Sequence, residues 1–152
     1  MVNCIKEMVA SRGGKTMSWQ NPPNEKIAAV LKEAKTIAVV GLSNNPERTS
    51  YQISKAMQAA GYKIIPVNPM VDTVLGEKAY ASLKEIDEKI DIINVFRRSE
   101  FLPEIAKEAL ETDSKVFWAQ QGVINEEAYD LLTENDFTVI MDLCIKVAHA
   151  VL

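Results

Sequence analysis

Thr36-Ile37-Ala38-Val39-Val40-Gly41 is a continuous apolar run that stops at a glycine. With no polar alternation along it, the run reads as a strand buried on both faces, the kind that parallel sheets carry. A loop from Leu42 to Arg48 follows. Thr49 and Gln52 then have the spacing of a capping box, Ile53, Ala56, Met57 and Ala60 form an apolar stripe, and Gly61 stands where a helix end needs a left-handed residue. Strand, loop and bounded helix make the first half of a βαβ unit.

The same alternation continues outward from this unit. Tyr62 to Val67 is a second strand, which Asn68-Pro69 ends. Val74-Leu75 is expected to begin a short third strand, Gly76 to turn the chain, and Leu83 to Lys89 to form a helical crossover. Asp91 to Phe96 reads as the next buried strand, followed by a helix striped by Phe101, Leu102, Ile105, Ala106, Ala109 and Leu110. Lys115 to Trp118 is another strand, Asn125 caps a helix carrying Ala128, Leu131 and Leu132, and Phe137 to Met141 closes the sheet. Cys144 to Leu152 forms a last short helix, and Pro22-Pro23-Asn24 opens one whose face is Ile27, Val30 and Leu31. Strands and helices alternating in units of about 20 to 30 residues give an α/β fold: an open, doubly wound, mostly parallel sheet between two helix layers.

The chain has 152 residues, 47% of them apolar and 25% charged, the size and composition of one globular domain. Residues 1–16 lack apolar periodicity and are expected to be a tail, with the domain spanning 17–152 and Met17 an alternative start of translation. Seventeen Lys and Arg against 21 Asp and Glu leave a net charge of -4, which disfavours a nucleic-acid partner but permits a local basic pocket. No apolar run approaches the roughly 18 residues of a membrane span, and no signal-peptide pattern opens the chain, so a cytoplasmic protein is expected. Two cysteines, Cys4 and Cys144, and one histidine, His149, disfavour a disulfide scaffold and a metal cluster.

In a doubly wound sheet, ligands bind beyond the carboxyl ends of the strands where the strand order reverses. That rule nominates the loops holding Gly41, Leu42, Ser43, Asn44, Arg48, Ser50 and Tyr51, then Asn68 and Pro69, then Phe96, Arg97 and Arg98, then Trp118 and Gln120. Gly41 permits a tight turn, and the helix after it presents unpaired N–H groups to an anion such as a diphosphate. The dinucleotide fingerprint asks for glycine where Gly41, Ser43 and Pro46 stand, so one of three positions is met. Ser43, Arg48 and Ser50 substitute side-chain donors, Arg48 with a bidentate fork. No carboxylate ends the second strand to take a ribose hydroxyl, which disfavours NAD and leaves a phosphorylated ribose or an adenine edge beside Asn68. Arg97 either reaches a phosphate or is solvated; Tyr51, Phe96 and Trp118 either contact a ligand or pack. Cys144 and His149 suit a core thiol and a helix end better than a catalytic pair.

Gly41-Leu42-Ser43, Pro46-x-Arg48-x-Ser50-Tyr51, Gly61-Tyr62, Pro66-Val67-Asn68-Pro69, Gly76, Asp91, Val95-Phe96-Arg97, Trp118-x-Gln120-x-Gly122 and Cys144 together resemble the small stand-alone CoA-binding proteins. That family is similar to the N-terminal CoA-binding Rossmann domain of the succinyl-CoA synthetase alpha subunit. The likeness spans about residues 24 to 150. It implies a five-stranded Rossmann-like fold that binds coenzyme A through its ADP part, with the Gly41 loop on the diphosphate and the Asn68 and Phe96 loops around the adenosine. It supplies no catalytic residue, so the chain is expected to hold CoA or an acyl-CoA, alone or for an unidentified partner enzyme. An NAD(P)-dependent oxidoreductase and a ligand-free interaction module stand as alternatives, since fold alone does not choose among them.

Overall fold

The computed structural model describes residues 19–152; the expected tail and the Met17 start lie outside them. In chain order the elements are α1 (Asn24–Glu33), β1 (Thr36–Val40), α2 (Thr49–Ala59), β2 (Lys63–Val67), β3 (Thr73–Val74), β4 (Glu77–Lys78), β5 (Ile92–Val95), α3 (Leu102–Ala109), β6 (Val116–Ala119), α4 (Glu126–Glu134), β7 (Thr138–Ile140) and α5 (Ile145–Val151). Five strands form one parallel sheet in the order β2-β1-β5-β6-β7. The chain leaves β1 toward β2 on one side and returns to β5 on the other, so the order reverses at β1.

Alternation along the strands separates two cores. Ile37, Val39, Ile64, Ile92, Trp118 and Ile140 face α1, α2 and α5, while Ala38, Val40, Ile65, Val67, Ile93, Val95, Phe117 and Val139 face α3 and α4. Each strand is apolar on both sides because both sides are covered, which is why β1 showed no alternation. Pro66 sits within β2 at no cost to the ladder. Val67 offers its carbonyl to Gly41 N–H on the β1 side, so the position of Pro66 turns outward, where its carbonyl accepts from Tyr80 N–H.

Three local expectations need correction. Thr49 is the first helical residue of α2, and Arg48, in extended conformation, occupies the cap position with no side-chain bond, so the Thr49–Gln52 capping box does not form. Instead, Gln52 Nε2 donates to the Pro46 carbonyl. Leu83 to Lys89 is not a helix: a single 3-10 turn spans Leu83–Glu85 and the chain then extends. A helical Leu83–Lys89 would advance about 10 Å, against about 17 Å for the return past a five-residue strand. Val74 is in β3, but Leu75 is in the turn: at φ 55 and 79, Leu75 and Gly76 close a β3–β4 hairpin separate from the main sheet.

Other signals hold. Gly61, at φ 110, ends α2 with Tyr62 N–H bonded to the Met57 carbonyl and Gly61 N–H to that of Gln58, the paired bonds of a Schellman motif. Asn125 caps α4 by accepting from Ala128 N–H at 2.9 Å. Asp91, just before β5, accepts from the N–H groups of Lys35 and Thr36 at 2.8 and 3.0 Å and fixes where β1 starts.

Two backbone donors on one carboxylate make Asp91 a polar tie between the start of β1 and the start of β5. Asp91→Ala is expected to lower unfolding stability by about 1.5–3 kcal/mol, and Asp91→Asn, which keeps an acceptor, by less. Urea denaturation followed by circular dichroism reads both.

Candidate functional site

The carboxyl ends of β1, β2 and β5 meet at one place. Gly41, directly after β1, has φ 88, and a Cβ added there would lie 2.8 Å from the Phe96 carbonyl oxygen and 3.1 Å from Arg97 Cδ. Only a residue without a side chain lets the loop after β5 come this close. Gly41 N–H donates to the Val67 carbonyl and Phe96 N–H to that of Val40, each at 2.8 Å. Asn68 completes the junction: its amide nitrogen donates to the Leu42 carbonyl at 3.0 Å, and its oxygen accepts from Met70 N–H at 2.8 Å.

The loop between Gly41 and α2 braces itself. Ser50 Oγ accepts from Ser43 N–H, Ser43 Oγ from Asn45 N–H, and Asn45 Oδ1 from Glu47 N–H, all at 3.0 Å. These bonds shape the turn while α2 lacks a capping side chain. The N–H groups of Thr49, Ser50 and Tyr51 therefore have no acceptor within their own helix and carry the positive end of its dipole.

Two cavities open on this helix end. One of about 370 Å³ is bounded by Gly41, Ser43, Glu47, Thr49 and Ser50. The other, of about 600 Å³, runs past Asn68, Pro69, Met70 and Ser82 to Phe101, Ile105 and Glu108. Gly41, Arg48 and Phe96 line both, so Arg48 stands between them. Arg97 and Arg98 border the larger cavity, with their guanidinium carbons 4.4 and 5.5 Å from the Phe101 ring centre. Cation–π contact leaves the charge of Arg97 uncompensated, while Arg98 also lies 3.9 Å from Glu100. The arrangement is suited to an anion at the helix end with a flat or apolar group beside it.

Not every nominated residue faces this cleft. Gly41, Ser43, Arg48, Ser50, Asn68, Pro69, Phe96, Arg97 and Arg98 line one or both cavities, and exposed Asn44 lies in the adjoining loop. The side chain of Leu42 is fully buried, and Tyr51 packs against the α1–α2–α5 core. Trp118 is fully buried, its Nε1 donating to the Leu143 carbonyl at 2.8 Å. Gln120 is also buried: its Nε2 donates to Asn94 Oδ1 at 2.6 Å and its Oε1 accepts from Ile145 N–H at 3.4 Å. Trp118 and Gln120 dock the C-terminal helix. Cys144 precedes α5, and His149 meets Tyr62 edge to face, 5.6 Å between ring centres, so neither lines either cavity. Burial raises the Tyr62 hydroxyl above its ordinary pKa.

Sequence reasoning missed Met70, Ser82 and Glu108 as cleft residues and treated Phe101 and Ile105 only as part of a core stripe. Phe101, Ile105 and Glu108 do carry a signal, since their spacing of four and three puts them on one helical face. That face reads as core until the sheet order shows that its upper end overhangs a cleft.

With this geometry in place, the likenesses to known proteins are informative. The family described as a CoA binding domain matches residues 35–150. The uncharacterized protein YneT of Bacillus subtilis (strain 168) is 67% identical over 132 residues, covering 87% of this chain and 98% of YneT. The alpha subunit of an ADP-forming acetate–CoA ligase II from Pyrococcus furiosus is 42% identical over 57 residues, 37% of this chain but 12% of that one. The solved structure of cell-free ID.343 from Thermus thermophilus superimposes with a TM-score of 0.82 at 33% identity, covering 85% of this chain and 98% of that one.

Gly41 and Gly61, both at positive φ, separate conformational strain from collision. Gly61→Ala, with nothing within 4 Å of the new Cβ, is expected to cost about 1–2 kcal/mol of stability. Gly41→Ala adds a backbone collision and is expected to cost about 2–4 kcal/mol. Parallel denaturation curves of the two variants test the difference.

Proposed function

This chain belongs to the CoA binding domain family, and on that premise we propose that it binds coenzyme A or an acyl-CoA through the ADP moiety, without catalysis of its own. The diphosphate sits at the amino end of α2, held by first-turn N–H groups and by Arg48, and the adenosine enters the larger cavity between the Asn68 and Phe96 loops. The observation that carries this reading is the helix end itself. At α2 an arginine occupies the cap position, its side chain makes no capping bond, and both cavities open onto it. An anion supplies the missing acceptor.

The rest of the site supports the same ligand. Asn68 uses both ends of its amide within the chain, and no carboxylate follows β2 to take the ribose hydroxyls as an NAD site would. Arg97 and Arg98 offer further charge to a phosphorylated ribose. Catalysis by a positioned nucleophile needs a base in reach, and the cleft offers hydroxyls, amides, arginines and the carboxylates Glu47 and Glu108. Ser50 Oγ is already engaged by Ser43 N–H. No helix among the described residues is long and apolar enough to cross a membrane, and the proposed setting is the cytoplasm, where the protein holds its ligand alone or for a partner enzyme.

Calorimetric titration with CoA, dephospho-CoA, NAD and NADP tests the reading directly: CoA is expected to bind tightest, and a preference for NAD or NADP overturns it. Arg48→Ala is expected to weaken CoA binding by about 1.5–3 kcal/mol, roughly 10- to 150-fold, with the unfolding curve unchanged because Arg48 is exposed. Acetyl-CoA incubated with the protein is expected to release no free thiol beyond its spontaneous hydrolysis; release proportional to protein and lost in Glu47→Gln identifies an enzyme instead.

A further inference from the structure

The far wall of the larger cavity carries a carboxylate that the phosphate end does not require. Glu108 shares a helical face with Phe101 and Ile105, and all three line the cavity. One Glu108 oxygen accepts from Leu83 N–H at 3.3 Å, and among the described residues no protein donor meets the other. Arg97 and Arg98 are directed instead onto the Phe101 ring, with Arg98 also 3.9 Å from Glu100.

An ionised carboxylate only accepts, so this end of the cavity repels a phosphate and favours a group that donates. Elsewhere the cavity presents apolar surface from Phe96, Ile105 and Met70, which suits a flat ring, while the Phe101 ring is faced by the two guanidinium groups. A flat ring with a donor on its edge fits both conditions. Resting on the reading of the cleft as an adenine-nucleotide site, we infer that Glu108 selects the nucleobase: its free oxygen accepts a hydrogen bond from the exocyclic amino group of adenine. The same oxygen faces a carbonyl with like polarity when the base is a 6-oxopurine, so the residue sets a preference for 6-aminopurines.

The Leu83 contact makes the test directional. In Glu108→Gln, only the amide oxygen can accept from Leu83 N–H, so the amide nitrogen is turned toward the ligand and presents a donor where the wild type presents an acceptor. Calorimetry with ADP and IDP, which lack the pantetheine arm, is expected to give at least a tenfold preference for ADP in the wild type, and equal binding or a preference for IDP in Glu108→Gln. Thermal unfolding of the variant checks that it folds. The wild-type ratio is a test on its own should the variant fail to fold: ADP and IDP bound within twofold overturns the inference. An unchanged ratio in a folded Glu108→Gln also overturns it, pointing to a ribose hydroxyl as the donor. So does weakened binding of CoA with ADP unaffected, which places a pantetheine amide there. Wild-type protein that binds neither CoA nor ADP overturns the proposed function itself, a result distinct from these.

Discussion

The backbone of Gly41 lies so near the carbonyl of Phe96 that no side chain fits between them, and the cleft depends on that approach. β1 is the strand from which the chain departs in opposite directions, so the loops after β1 and β5 leave toward opposite faces of the sheet and open a crevice. A glycine brings the two loops together at the base of that crevice. The N–H of Gly41 then reaches Val67, and the amide of Asn68 reaches Leu42. Three strand ends are joined there by backbone and amide bonds, which leaves the space above them for a ligand.

The helix starts around the sheet are satisfied in different ways, and at α1, α2 and α3 no side chain caps the first turn. Asn125 closes the start of α4 with its own side chain, and Gln120, reaching from the loop after β6, takes the first N–H of α5. At α2 the available serines and asparagine bond to loop N–H groups rather than to the helix. This leaves positive potential unanswered at the mouth of two cavities. The arrangement gives up about 1 kcal/mol of capping stability, and it is this end of the helix that the proposed function assigns to the diphosphate.

Trp118 and Gln120 show how the same sheet end serves two purposes. They stand at the carboxyl end of β6, two strands from β1 where the order reverses, between β5 and β7. There the Trp118 indole and the Gln120 oxygen turn to the C-terminal segment, meeting Leu143 and Ile145, while the Gln120 amide nitrogen donates to Asn94 of β5. Their polar groups are satisfied within the protein, as burial demands.

Much of this was legible in the residues. Unbroken apolar runs predicted doubly covered strands, Gly61 and Asn125 predicted helix ends, and the loops after the first, second and fourth predicted strands contain most of the cleft. These signals are local: each depends on φ, on a single hydrogen bond or on burial periodicity, so neighbouring residues suffice to express them. What only the tertiary structure decided is non-local. Whether Thr49 caps α2 depends on where Ser43 and Asn45 bond; whether Leu83–Lys89 coils depends on how far the chain must return; whether Trp118 meets a ligand or a helix depends on which strand lies beside it. Glu108 is the plainest case, since its spacing marks only a helical face, and what that face overlooks is fixed by strands some 15 to 70 residues away in sequence, whose order no local pattern encodes.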